Sequence, residues 1–246
     1  MSTTKEIAKG LEGIEVDETA ISLVDGTRGT LSYRGYPLDT LVSWPFTRVA
    51  LLVLDDEEPD EAALQAFEDE LTEHAALRRT EVALLDCLAP TATHPMQVLI
   101  TLATTLEHDP RAFTRYGEAA RGLSIAARMP AALAYLLAKR RGSSLPETQI
   151  STRSPVLRYL HAIGAPSNPA LARAMEITQI LQIEHGFNAG TFAARVVAST
   201  LAPIENSIAG ALAALHGILH GGADQAALET AQTVGSPAAA AAFVDD

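Results

Sequence analysis

A chain of 246 residues with a formal net charge of −12, 48% apolar and 20% charged residues has the balance of a globular protein with a sizeable core. The acidic excess argues against a nucleic-acid or anionic-membrane surface, and the single cysteine, Cys87, excludes an internal disulfide framework and fits a reducing interior. Residues 1–9 lack the apolar core of a secretory signal, and no run of about 18 apolar residues occurs, so the expectation is a cytoplasmic protein that does not span a bilayer.

The first 36 residues differ from the rest. Glycines at 10, 13, 26, 29 and 35 punctuate short β-prone runs at 20–24 and 30–33, and Asp25-Gly26 is a hairpin turn signal with a loop longer than the minimal one. From Pro37 onward the pattern turns helical. Residues 60–71 carry Ala63, Leu64, Phe67 and Leu71 at helical spacing, behind Asp60 as N-cap and Pro59 as turn. Further helices are predicted over 81–88, 95–106 and 119–141; Pro95 suits a first turn, whereas Pro130 is expected to break or kink its helix. Cys87, in the apolar run 82–88, is expected to be a buried small hydrophobe rather than a nucleophile. Residues 142–155 read as the main internal loop. Helices follow over 155–163, 168–183 (Asn168 as cap, Pro169 at the first position), 191–200, 203–215, 223–234 and 237–244, the last barely begun at Asp246. The fold class is all-α, mainly helical with a small N-terminal β element.

Two breaks in this pattern hold candidate chemistry. The apolar run 211–219 stops at His220, followed by Gly221-Gly222 and a polar restart at Ala223. Paired glycines permit φ > 0 or a close approach to the backbone. A histidine there meets the positive end of the next helix, which disfavours imidazolium and leaves a neutral donor. The same residues also fit a helix C-cap and tight turn carrying a surface histidine. The second break is Glu184-His185-Gly186-Phe187-Asn188. His185 and Asn188 can bind a small carboxylate or carbonyl compound, or can belong to a helix corner with satisfied caps.

His216 and His220 could share a metal only if one helix ran through both, and the glycine pair argues that it stops; no metal is expected. The phosphate-binding, dinucleotide-binding and serine-nucleophile glycine motifs are all missing from the sequence. His94 before Pro95 is expected to cap or pack, and His74, His108 and His161 have no motif context.

Four stretches, in order along nearly the whole chain, carry a family likeness: Lys9-Gly10-Leu11-Glu12-Gly13-Ile14 with Glu18-Thr19-Ala20-Ile21-Ser22; Tyr33-Arg34-Gly35-Tyr36-Pro37-Leu38; His185-Gly186-Phe187-Asn188-Ala189-Gly190-Thr191-Phe192; and His220-Gly221-Gly222-Ala223-Asp224. Thr93-His94-Pro95-Met96-Gln97 is a weaker fifth. The sequence resembles the citrate synthase family. The resemblance implies an almost entirely helical homodimer whose smaller domain closes over the substrates. It implies condensation of acetyl-CoA with oxaloacetate to citrate and CoA, with acetyl-CoA as substrate and no separate cofactor. It makes His220 the histidine that hydrogen-bonds the acetyl-CoA enol or enolate, and His185 the oxaloacetate ligand with Asn188 supporting it. The implied division is an N-terminal segment over 1–36, a helical large domain over 37–220, and the start of the small domain over 221–246.

The departures matter. Many bacterial members read His-Ala-Asp-His where this chain has Gln182-Ile183-Glu184-His185, and Asn where it has Asp224, which puts a possible negative charge near His220 and works against a neutral ring. Ala202-Pro203 replaces a usual Ser-Asp. The family places its Gly-x-Gly-His segment, an Asp-Pro-Arg, the catalytic aspartate and further arginines beyond the stretch that these 246 residues match, so Glu184, Asp224 and Glu229 are the substitute bases on offer. The expectation is therefore a citrate synthase-like acyltransferase in a truncated chain. The alternatives are a non-catalytic paralogue binding a small dicarboxylate or CoA thioester, a 2-methylcitrate synthase, or half of an enzyme completed by a separate small-domain subunit. The acetyl and propionyl thioesters differ by one methylene, worth only about 1–3 kcal/mol of discrimination.

Overall fold

A computed structural model describes residues 16–92, 94–106, 108–145 and 152–245. The N-terminal β element is a three-stranded antiparallel sheet of β1 (Ser22–Asp25), β2 (Thr30–Tyr33) and β3 (Tyr36–Pro37), in that order. Strands β1 and β2 pair with Ser22 opposite Tyr33 and Asp25 opposite Thr30. Their longer loop closes on Asp25, whose Oδ1 accepts from the Thr27 and Arg28 N–H groups at 3.0 Å each. The two-residue β3 was not predicted. It exists because Arg34 and Gly35 both take φ > 0, making a tight hairpin turn.

Among the described residues twelve α-helices follow: α1 (Leu38–Leu41), α2 (Phe46–Asp55), α3 (Glu61–Glu73), α4 (Arg79–Leu88), α5 (Pro95–Ala103), α6 (Ala119–Arg141), α7 (Pro155–Ala162), α8 (Pro169–Gln182), α9 (Ala189–Ala198), α10 (Ile204–Leu215), α11 (Gly222–Val234) and α12 (Ala240–Asp245). The expected caps are present. Asp60 accepts from the Ala63 N–H at 2.7 Å, and Asn168 accepts from the Ala170 N–H at 2.9 Å, ahead of Pro169 in the first turn of α8. Helix α2 escaped prediction. Its burial is nonetheless one-sided: Thr47, Val49, Leu51 and Leu52 are buried, whereas Leu54 is exposed.

Two expectations fail. Pro130 leaves α6 as one continuous 23-residue helix. A proline removes one internal hydrogen bond, and burial of Ser124, Ile125 and Arg128 before it and Ala132, Ala134 and Leu136 after it keeps the helix running through that position. Cys87 is exposed. Helix α4 buries Glu81 and Leu85, and a residue two positions beyond Leu85 points about 200° away from that face.

The core sits in three clusters. Leu85, Leu99, Leu102 and Leu136 join α4, α5 and α6; Leu51, Phe67 and Phe113 join α2, α3 and the segment before α6; Tyr33, Leu41, Val49, Leu52 and Ile180 join the sheet to α1, α2 and α8. Inside the first region lies a buried ion pair, Arg128 Nη1 to Glu81 Oε1 at 2.6 Å. Among the described residues no helix is long and apolar enough to cross a membrane.

Candidate active site

Both breaks found in the sequence are real helix interruptions, and the structure brings them together. Helix α8 ends at Gln182, and Glu184 Oε1 then accepts from the Gly186 N–H at 2.7 Å, in a turn where Gly186 has φ +82°. Asn188 caps α9: its Oδ1 accepts from the Gly190 and Thr191 N–H groups at 2.9 and 3.0 Å, and its amide donates to Thr191 Oγ1 at 3.1 Å. The carboxamide is thus engaged at both ends in the satisfied-cap arrangement. His185 stands exposed on the same turn, three residues earlier. Below it, Arg195 lies over the Phe187 ring, 4.6 Å from its centroid.

The second break is a compact knot of backbone hydrogen bonds. Helix α10 ends at Leu215 with His216 as C-cap. The His220 N–H donates to the Gly217 carbonyl at 3.0 Å, the Gly221 N–H to Leu215 at 2.9 Å, and the Gly222 N–H to Gly217 at 3.2 Å. Neither glycine of the pair uses φ > 0; Gly221 is right-handed at φ −65° as the N-cap of α11. Close approach is the reason for glycine here: a Cβ at Gly221 would lie 2.4 Å from the Leu215 carbonyl oxygen. His220 therefore directly precedes the first residues of α11, as the sequence suggested.

Because α10 stops at Leu215, no helix carries His216 and His220 on one face. His216 instead stacks on His94, ring centroids 4.7 Å apart. His94 caps α5, its Nδ1 accepting from the Met96 N–H at 3.2 Å. Burial, with His216 and Arg140 nearby, pushes its pKa below the usual imidazole value. Among the described residues no group of three or more metal-ligating side chains occurs.

The junction of the two breaks is at Gly190. A Cβ there would sit 3.2 Å from Asn188 Oδ1, 3.4 Å from the Ala211 carbonyl oxygen and 3.9 Å from His220 Nε2. The His220 imidazole thus reaches the first turn of α9 beside the Asn188 cap, and the tight approach that glycine eases at 190 is to Asn188 Oδ1. Asp224 lies in the exposed first turn of α11. At the opposite end of α10 from His216, buried Glu205 pairs with Arg121, Nε to Oε1 at 2.6 Å. Burial works to raise the Glu205 pKa, and the Arg121 guanidinium overrides it, holding the carboxyl below its usual value.

Sequence reasoning missed the His94–His216 stack, the Arg121–Glu205 pair and the meeting of His220 with the first turn of α9 at Gly190. The first two join residues more than eighty positions apart, and no local pattern marks them. Gly190 was visible only as a turn residue.

The family model for "Citrate synthase, C-terminal domain" matches residues 10–246. The chain is 38% identical over 238 residues to the 2-methylcitrate synthase of Mycobacterium tuberculosis, covering 95% of this chain and 60% of that protein. It is 36% identical over 244 residues to the citrate synthase of Mycolicibacterium smegmatis, covering 96% and 63%. The crystal structure of citrate synthase from Thermotoga maritima superimposes with a TM-score of 0.84 at 30% identity, over 98% of this chain and 64% of that one. The chain thus spans about three-fifths of the length of these relatives.

Proposed function

The chain belongs to the citrate synthase family, and from that premise we propose that it takes part in condensing acetyl-CoA with oxaloacetate to citrate and CoA. The observation that carries this reading is the meeting of the two family motifs, with His220 Nε2 lying against the first turn of α9 beside Asn188. In this role His220 donates a hydrogen bond to the thioester oxygen as it becomes an enol or enolate, where a fixed donor lowers the barrier most. His185, exposed on the adjoining turn, binds oxaloacetate, and Asn188 acts through the turn it caps. The enol carbon then attacks the ketone carbon of oxaloacetate, and water cleaves the resulting citryl thioester to free CoA. Removing the methyl proton needs a base; Asp224 and Glu184 are the carboxylates nearest these motifs in the sequence. We assign 37–220 to the large domain and 221 onward to the domain that closes over the substrates.

A second reading is 2-methylcitrate synthesis from propionyl-CoA, favoured by the 38% identity to the Mycobacterium tuberculosis 2-methylcitrate synthase. A homodimer fits the exposed apolar residues Leu201, Ile218, Leu219 and Val244, which a second copy would cover.

The test is oxaloacetate-dependent release of CoA thiol from acetyl-CoA and from propionyl-CoA. His220→Ala is expected to lower it at least 100-fold while leaving the helical circular dichroism intact. Unchanged turnover in this variant would overturn the assignment, and loss of the dichroism would make His220 structural instead.

A further inference from the structure

The motif Tyr33-Arg34-Gly35-Tyr36-Pro37 lies in the N-terminal sheet, and the chemistry above does not use it. Yet Tyr33 is fully buried in the cluster with Leu41, Val49, Leu52 and Ile180. Its hydroxyl donates to the Ile180 carbonyl at 2.8 Å and lies 3.3 Å from that of Leu181. Both carbonyls belong to the last turn of α8, where helix geometry leaves acceptors unpaired.

That helix end lacks the usual local devices. The C-cap Ile183 is right-handed at φ −66°, no basic residue stands in the last turn, and the Ile183 N–H reaches Ile180 only at 3.4 Å. The stop is supplied from 147 residues away. Burial pushes the Tyr33 pKa up, so the phenol keeps its proton and remains a donor. Two residues past α8, the Glu184 carboxylate pins the Gly186 N–H. The exposed His185 therefore hangs between two fixed points.

We propose that Tyr33 is a positioning residue for His185, its hydroxyl clamping the last turn of α8 so that the His185 turn starts from one place. The consequence for oxaloacetate rests on the reading of His185 as its ligand. Tyr33→Phe keeps the ring and removes only the clamp. Expected are retained helical dichroism, about tenfold faster amide exchange over 181–186 with α4 and α5 unchanged, and displaced His185 ring resonances while those of His74 and His161 stay put. Oxaloacetate binding should weaken about 2- to 12-fold, the worth of one net hydrogen bond. Tyr36→Phe, which keeps the ring and removes a hydroxyl that donates to exposed Glu58 at 3.4 Å, should do none of this. In the wild-type protein, amides at the end of α8 should exchange more slowly than those at the end of α9, where the Ser199 and Thr200 hydroxyls bond carbonyls of their own turn in exposed positions. The proposal is overturned if His185 resonances and exchange over 181–186 match wild type, or if every helix accelerates together. Failure of wild-type protein to bind oxaloacetate would instead sink the ligand role of His185, leaving the clamp to stand on exchange and resonances.

Discussion

The region from β2 to α7 and the region from α8 to α12 are both built of apolar-rich helices, but they use their apolar residues differently. The first holds most of the core, including Phe113, Leu51, Leu85, Leu102 and Leu136, around the Arg128–Glu81 pair. The second buries Ile180 and Ala209 and leaves Leu201 at 94%, Leu219 at 96% and Ile218 at 82% exposure; α11 buries none of its residues. Both family motifs with histidines lie in this second region. There, geometry is fixed by caps and by backbone close approaches at Gly190 and Gly221, and the core of the first region reaches in through Tyr33 on Ile180. The difference teaches that the histidine motifs lie where burial is thin and short-range backbone geometry, with that one core contact, holds the turns.

Substitutions can sharpen or break this contrast. The largest loss is expected from Glu81→Ala, which takes the Glu81 carboxylate out of its buried ion pair with Arg128 and should cost about 3–5 kcal/mol in urea unfolding. A smaller cost would mean that the guanidinium finds water or another acceptor. Next comes a matched pair: Leu102→Ala in the first region should cost about 2–5 kcal/mol, whereas Leu228→Ala on the exposed face of α11 in the second should stay within about 0.5 kcal/mol. Equal costs would end the distinction.

The smallest effect is pH-dependent. Burial holds His94 and His108 below the free imidazole value of about 6.5. As pH falls through that value the unfolded chain takes up protons first, so stability is full above it and declines toward the lower folded-state values. The urea midpoint should therefore drop between pH 7.5 and pH 5.5. His94→Asn keeps a cap acceptor for α5, removes one of the two groups and should shrink the drop; an unchanged drop would exonerate His94.

Much of this was legible locally. Asp60, Asn168 and Pro169 are helix-start signals whose partners lie within three residues, and Asp25-Gly26 marks its turn in the same way. Where local rules conflicted with packing, packing won: Pro130 does not interrupt α6, and Cys87 faces outward because Leu85 had already taken the inner face. At the glycine pair the sequence offered two physical reasons, positive φ or close approach, and only the distance from Gly221 to Leu215 selects the second.

For His220 and His185, short-range chemistry in the sequence determined that helices break there and that titratable groups stand at the breaks. Their relation was decided by tertiary structure alone. His220 meets the first turn of α9 at Gly190, and Tyr33 closes the end of α8, through contacts that join residues 30 and 147 positions apart. Helix periodicity and capping act over one or two turns, so no pattern of that reach can encode which helix end meets which.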